Sequence, residues 1–197
     1  MFKDCRALKQ APALPATTLA GDCYNGMFFG CTSLTQAPEL LATTLTTNCY
    51  KEMFRGCTSL TNAPILPAPK LGRTCYWYMF ANCTSLVEAP ELPATDLAEG
   101  CYAYMFNGCT SLKRIKMNAS SGSWGESMFN GCTSLELVDM TGSTGVPQLD
   151  MTSFENTNDT YKIVVPDSLY NTWIEQWTPI ASHIMKKSDW NDAHPDD

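Results

Sequence analysis

The stretch Met27-Phe28-Phe29-Gly30-Cys31-Thr32-Ser33-Leu34 returns as Met53 to Leu60, Met79 to Leu86 and Met105 to Leu112, each time after 26 residues. A looser copy, Met1 to Leu8, precedes it, and a close copy, Met128 to Leu135, follows the last after only 23. A fixed period in this range marks a solenoid, in which each coil is too small to fold alone and buries its apolar side against its neighbours. Equivalent residues of successive coils are therefore expected to lie over one another.

The ten cysteines obey the same period. Cys23, Cys49, Cys75 and Cys101 form one register; Cys5, Cys31, Cys57, Cys83, Cys109 and Cys132 form the other. No C-x-x-C pair occurs, and the two histidines, His183 and His194, lie outside the repeats. Neighbours ~5 Å apart in stacked strands satisfy the distance for a disulfide, but parallel Cβ vectors fit its dihedral poorly. Two inward columns of reduced thiols, packing as small apolar groups, are expected instead.

Within a coil, Leu34-Thr35-Gln36-Ala37 reads as a short extended segment with Leu34 and Ala37 inward. Pro38 follows, and Pro12, Pro64 and Pro90 recur in its register. Proline cannot donate to a parallel ladder, so the strands of the first four coils should be very short. Leu14, Leu40, Leu66 and Leu92 then turn inward. Thr17, Thr43 and Thr95 stand where a helix cap is wanted, and Leu45, Cys49 and Met53, at i, i+4 and i+8, predict a short helix in each coil. The helix is predicted to stop at Gly56. That register holds Asp4, Gly30, Gly56, Asn82, Gly108 and Gly131, all types that tolerate left-handed backbone.

After Leu112 the proline is absent. The pairs Ile115/Met117, Val138/Met140 and Ile163/Val165 alternate as strands, so the regular ladder should be best formed there. Trp124 takes the slot of the missing cysteine, and Phe154 that of Phe129. Beyond Pro166, Asp167-Ser168 predicts the cap of a helix carrying Leu169, Tyr170, Trp173, Ile174 and Trp177. Thr178-Pro179 predicts a second helix with Ile180, Ile184 and Met185 inward and Lys186 and Lys187 at its end. Residues 193–197 read as a frayed tail. The expected organisation is a coil stack over 1–166 and a C-terminal helical cap with its tail over 167–197.

These residues resemble the BspA-like branch of leucine-rich-repeat proteins, surface proteins of gut and oral bacteria. The resemblance rests on Met-Phe-x-Gly-Cys-Thr-Ser-Leu, on Ala-Pro-x-Leu-Pro-Ala-Thr, on Leu112-Lys113-Arg114-Ile115-Lys116-Met117, and on Val165-Pro166-Asp167-Ser168-Leu169-Tyr170 through Trp190. It covers nearly the whole chain. It implies an α/β solenoid, a right-handed stack of short parallel strands and short helices, displayed at the cell surface or outside the cell, with a role in adhesion or protein binding.

Several function classes are disfavoured. A net charge of −7 opposes nucleic-acid binding, which rests on Lys and Arg neutralising phosphates. No apolar run approaches the ~20 residues needed to cross a bilayer, and the first residues do not form the basic and apolar pattern of a secretory leader. No histidine accompanies any cysteine within the repeats, no phosphate loop or metal cluster is present, and Glu39 and Glu91 share a register with Ala13 and Ile65. The expectation is a non-enzymatic protein without cofactor or metal.

Charged residues make up only 17% of the chain, so Thr, Ser and Asn must cover much of the solvent face. Two surfaces are candidates for binding. One is the inner face, lined by Gln10, Gln36, Asn62, Glu88 and Arg114 with neighbours Lys9, Thr35, Thr61, Val87 and Lys113; the alternative there is a solvated strand face. The other is the aromatic row Tyr24, Tyr50, Tyr76 and Tyr102 with Trp77, Tyr78 and Tyr104, which coil-to-coil packing explains better. The leading expectation is a surface module recognising a protein or glycan through the inner face. The alternative is a structural spacer within a larger surface protein. An uncapped first coil, with Met1, Phe2, Cys5 and Leu8 at its edge, further predicts self-association through that end or a preceding segment.

Overall fold

The computed structural model describes residues 1–195. Its coils stack with like residue over like. Phe2, Phe28, Phe54, Phe80 and Phe106 form one column with ring centroids 5.6–5.7 Å apart. Phe129, Phe154, Tyr161 and His183 extend it. Tyr24, Tyr50, Tyr76 and Tyr102 form a second column at 6.0 Å. Offset aromatic pairs at such distances contribute about 0.5–1.5 kcal/mol each beyond the area they bury. The repeat thus supplies both the core and the cohesion between coils.

A parallel ladder runs from coil to coil along the stack. In the first coils it consists of single parallel bridges, Gln10 to Gln36, Gln36 to Asn62, Asn62 to Glu88 and Glu88 to Arg114. Once the proline is gone it widens into strands β1 (Arg114–Lys116), β2 (Leu137–Asp139) and β3 (Lys162–Val165). These pair in parallel, with Ile115 opposite Val138 and Val138 opposite Ile163. All three are buried, as the alternation requires.

The expected helices of the coils are replaced by a ribbon of turns. Between Asn48 and Cys57 the amides of odd-numbered residues close back three residues: Lys51 donates to Asn48, Met53 to Tyr50, Arg55 to Glu52 and Cys57 to Phe54. Even-numbered amides donate to the next coil, Tyr50 to Cys75, Glu52 to Trp77, Phe54 to Met79 and Gly56 to Ala81, at 2.8–2.9 Å. A helix would spend every amide internally and leave the coils no backbone bonds to share. Left-handed residues recur every four positions, at Asn48, Glu52 and Gly56, then Thr74, Tyr78 and Asn82, then Gly100, Tyr104 and Gly108. This four-residue period accounts for the i, i+4, i+8 spacing of Leu45, Cys49 and Met53, which over so short a run is indistinguishable from a 3.6-residue period. The left-handed backbone expected at Asp4, Gly30, Gly56, Asn82, Gly108 and Gly131 is present, with φ of 58–78°, but it closes turns and ends no helix. Thr17, Thr43 and Thr95 accordingly cap nothing.

The C-terminal segment also departs from expectation. A 3-10 turn over Asp167–Leu169 leads into α1 (Tyr170–Gln176). The Asp167 carboxylate accepts from the Ser188 amide at 3.0 Å instead of capping that helix. The second expected helix is a 3-10 stretch, Thr178–His183, followed by a fourth strand, β4 (Ile184–Lys186), which pairs in parallel with β3. Lys187 opens α2 (Lys187–Ala193), so Lys186 and Lys187 end no helix. Ala193 belongs to α2 and not to a tail, and the last two residues of the expected tail lie outside the described residues. Trp173 and Trp177 pack edge-to-face at 4.6 Å, and Trp177 meets Trp124 at 4.9 Å. Trp124, the substitute for the missing cysteine, is fully buried.

Candidate interaction surface

The bridges place Gln10, Gln36, Asn62, Glu88 and Arg114 in one continuous column. Gln10, Gln36, Asn62 and Glu88 are exposed and Arg114 is half-buried. Their predecessors Lys9, Thr35, Thr61, Val87 and Lys113 form an exposed companion row. The Thr35 amide donates to the Lys9 carbonyl at 3.1 Å, and the Lys113 amide to the Val87 carbonyl at 2.9 Å. Several of the side chains engage neighbours: Thr35 Oγ1 donates to the Lys9 carbonyl at 3.2 Å. Lys113 Nζ lies 2.9 Å from a Glu136 oxygen, and Asn62 Nδ2 donates to Thr61 Oγ1 at 3.2 Å. All ten residues named from the sequence are thus brought together on one face. At the C-terminal end of that face α2 packs against β3 and β4, and Trp190, Lys187 and Asn191 wall a recess of about 240 Å³ floored by Leu137 and Val164.

Beside this column lies a feature that sequence reading missed. Between Pro38 and Thr43, and between Pro64 and Pro69, no backbone hydrogen bond joins one coil to the next among the described residues. The two open clefts there have volumes of about 330 and 400 Å³. The first is lined by Pro38, Leu40, Leu41, Pro64, Ile65 and Pro67, and the second by Pro64, Ile65, Leu66, Pro67, Pro90 and Pro93. The proline column breaks the ladder, and a break between stacked coils is also a cleft. Its signal was Ile65, an aliphatic residue in a register otherwise held by Ala13, Glu39 and Glu91; it is 81% exposed.

The thiols have a packing role. All ten cysteines are free, and eight are buried. Cys31, Cys57, Cys83, Cys109 and Cys132 each direct Sγ–H at a phenylalanine carbonyl of the preceding coil, those of Phe2, Phe28, Phe54, Phe80 and Phe106, at 3.0–3.2 Å. Burial pushes the thiols of Cys57, Cys101 and Cys132 up to about 12 and raises those of Cys83 and Cys109 well above the ordinary value. Such thiols are protonated at neutral pH and poor nucleophiles. Among the described residues no group of His, Cys, Asp and Glu is arranged to hold a metal ion.

The aromatic row divides in two. Tyr50, Tyr76 and Tyr102 are each 1% exposed, which makes that column core. Trp77, Tyr78 and Tyr104 remain half-exposed, and cations already occupy two of their faces: Lys51 Nζ lies 4.4 Å above Trp77, and the Arg55 guanidinium 4.6 Å above Tyr78.

A sequence model described as "BspA type Leucine rich repeat region" matches the chain in six copies, over residues 1–90 and 77–175. No curated protein and no solved structure matches it. Among the described residues no helix is long and apolar enough to cross a membrane.

Proposed function

Because the chain belongs to the BspA-type leucine-rich-repeat family, we propose that it is a non-enzymatic cell-surface module that recognises a protein or glycan through the inner face of its solenoid. Repeats of this type are typically surface-associated, and the fold generally serves binding. The observation that carries the reading is the uninterrupted column from Gln10 to Arg114. It sets polar side chains of differing charge at one-coil spacing on a rigid ladder, a geometry solenoids use to engage extended partners. The right-handed rise of parallel strand crossovers is part of the same proposal. So is a boundary at residue 166, after which the segment carrying Trp173 and Trp177 closes the apolar end of the stack.

A panel of immobilised matrix proteins and glycans tests the reading. At least one should bind, and Glu88→Lys with Arg114→Glu should weaken that binding tenfold or more. Binding that survives both reversals rejects this face. No binding to any member favours the second reading, a structural spacer. The continuous aromatic columns, which stiffen the stack end to end, support that one.

A further inference from the structure

Few large apolar side chains are exposed among the described residues, and three of them fall on three successive coils. Leu41 is 43% exposed, Ile65 81% and Val87 39%. Measured against the 26-residue period, Ile65 sits two positions earlier in its coil than Leu41, and Val87 four earlier than Ile65. Leu41 and Ile65 line the first cleft and Ile65 also lines the second, while Val87 stands exposed in the companion row of the inner-face column.

The clefts repeat at the coil spacing, which the phenylalanine column sets at 5.6 Å. Alternate side chains of an extended peptide are ~6.6–6.8 Å apart on one face. The difference over one cleft-to-cleft step is about 1 Å, which side-chain torsions on the peptide can absorb. Bulky side chains two apart on such a peptide can therefore enter successive clefts, where the N–H groups of Glu39, Leu41 and Ile65 donate to no backbone carbonyl of a neighbouring coil among the described residues.

Charge identifies the occupant. Glu39 lines the first cleft and Glu91 the second, with no Lys or Arg in either lining, while Glu88 forms a backbone bridge to Arg114 of the next coil. Glu39 and Glu88 form no ion pair among the described residues, and Glu91 meets Lys116 at 3.2 Å. The chain as a whole carries −7. An acidic rim around an apolar strip selects a segment whose apolar residues are flanked by cations.

We propose that the Leu41–Ile65–Val87 strip docks an extended segment of a partner protein that carries alternating bulky apolar side chains flanked by Lys or Arg. The proposal rests on the reading of the molecule as a binding module and specifies where and what it binds. Ile65 belongs to a register that already holds glutamate at Glu39 and Glu91, so the fold tolerates a charge there.

A random-peptide phage library panned against the full chain tests this. Enriched peptides should carry aliphatic or aromatic residues at alternate positions beside Lys or Arg. Their synthetic versions should lose at least tenfold in affinity on Ile65→Lys and on Glu39→Lys, and should weaken with rising salt. Enrichment of peptides without that pattern, or equal binding to Ile65→Lys, overturns the strip as the site. If Arg114→Glu abolishes binding to a matrix or glycan partner while Ile65→Lys does not, the inner-face reading stands and this one fails. If no peptide is enriched and neither variant alters any partner, both fail.

Discussion

At the scale of single residues, the thiols show how a reactive group is made structural. Each cysteine of the second register after Cys5 is buried as an apolar filler and supplies a second donor to a carbonyl of the preceding coil. Cys5 is exposed and Cys23 partly so. A thiol-specific reagent should therefore modify those two within the mixing time of a native-state assay and the remaining eight only on unfolding. Rapid labelling of any of the eight would contradict the packing. Burial also predicts a pH dependence. The folded values near 12 for Cys57, Cys101 and Cys132 lie above the ordinary 9.0. Folding favours the protonated thiol, so this stabilisation is fully present below pH 9 and is lost as pH rises from about 9 toward 12. The urea midpoint should fall over that window, and a midpoint flat to pH 11 would show that the thiols are not buried.

At the scale of elements, the turn ribbon decides the architecture. It requires left-handed backbone at every fourth residue, and Gly56, with φ of 75°, fills one such position. No neighbouring atom lies closer than 3.8 Å to where a Cβ would stand, so a Cβ itself fits and the cost of Gly56→Val starts from its backbone angle. That strain amounts to about 1–3 kcal/mol, and chemical denaturation should read it; an unchanged midpoint would mean the ribbon is not left-handed there. The same segment shows where the sequence was legible. The core columns could be read directly, because a residue repeated at one period must face its copies. The strand pairs at Ile115, Val138 and Ile163 followed from alternation without proline. The ribbon did not, because Cys49, Met53 and Cys57 recur at a spacing that turns and helices share. What could have separated them is the amide count: coils joined by backbone bonds cannot also form helices in the same residues. The inner-face column was legible because one polar residue follows each Leu-x step, whereas the clefts arise from an absence of pairing, which no single residue encodes.

For the molecule as a whole, stability is a sum over coils and the interfaces between them, with no disulfide among the described residues to tie distant parts together. Partner recognition then depends on a surface assembled from several coils, none of which holds a site alone. Gln36, Asn62 and Glu88 are neighbours in space only because their coils are stacked in register. The most direct test of this account removes one coil outright. Deleting residues 61–86, which spans one 26-residue period, joins Leu60 to Val87 and restores the register of every column. Differential scanning calorimetry of the shortened chain should show one cooperative transition at a lower Tm, with a far-UV spectrum of unchanged shape. A chain that loses its transition altogether would contradict a stack of interchangeable coils.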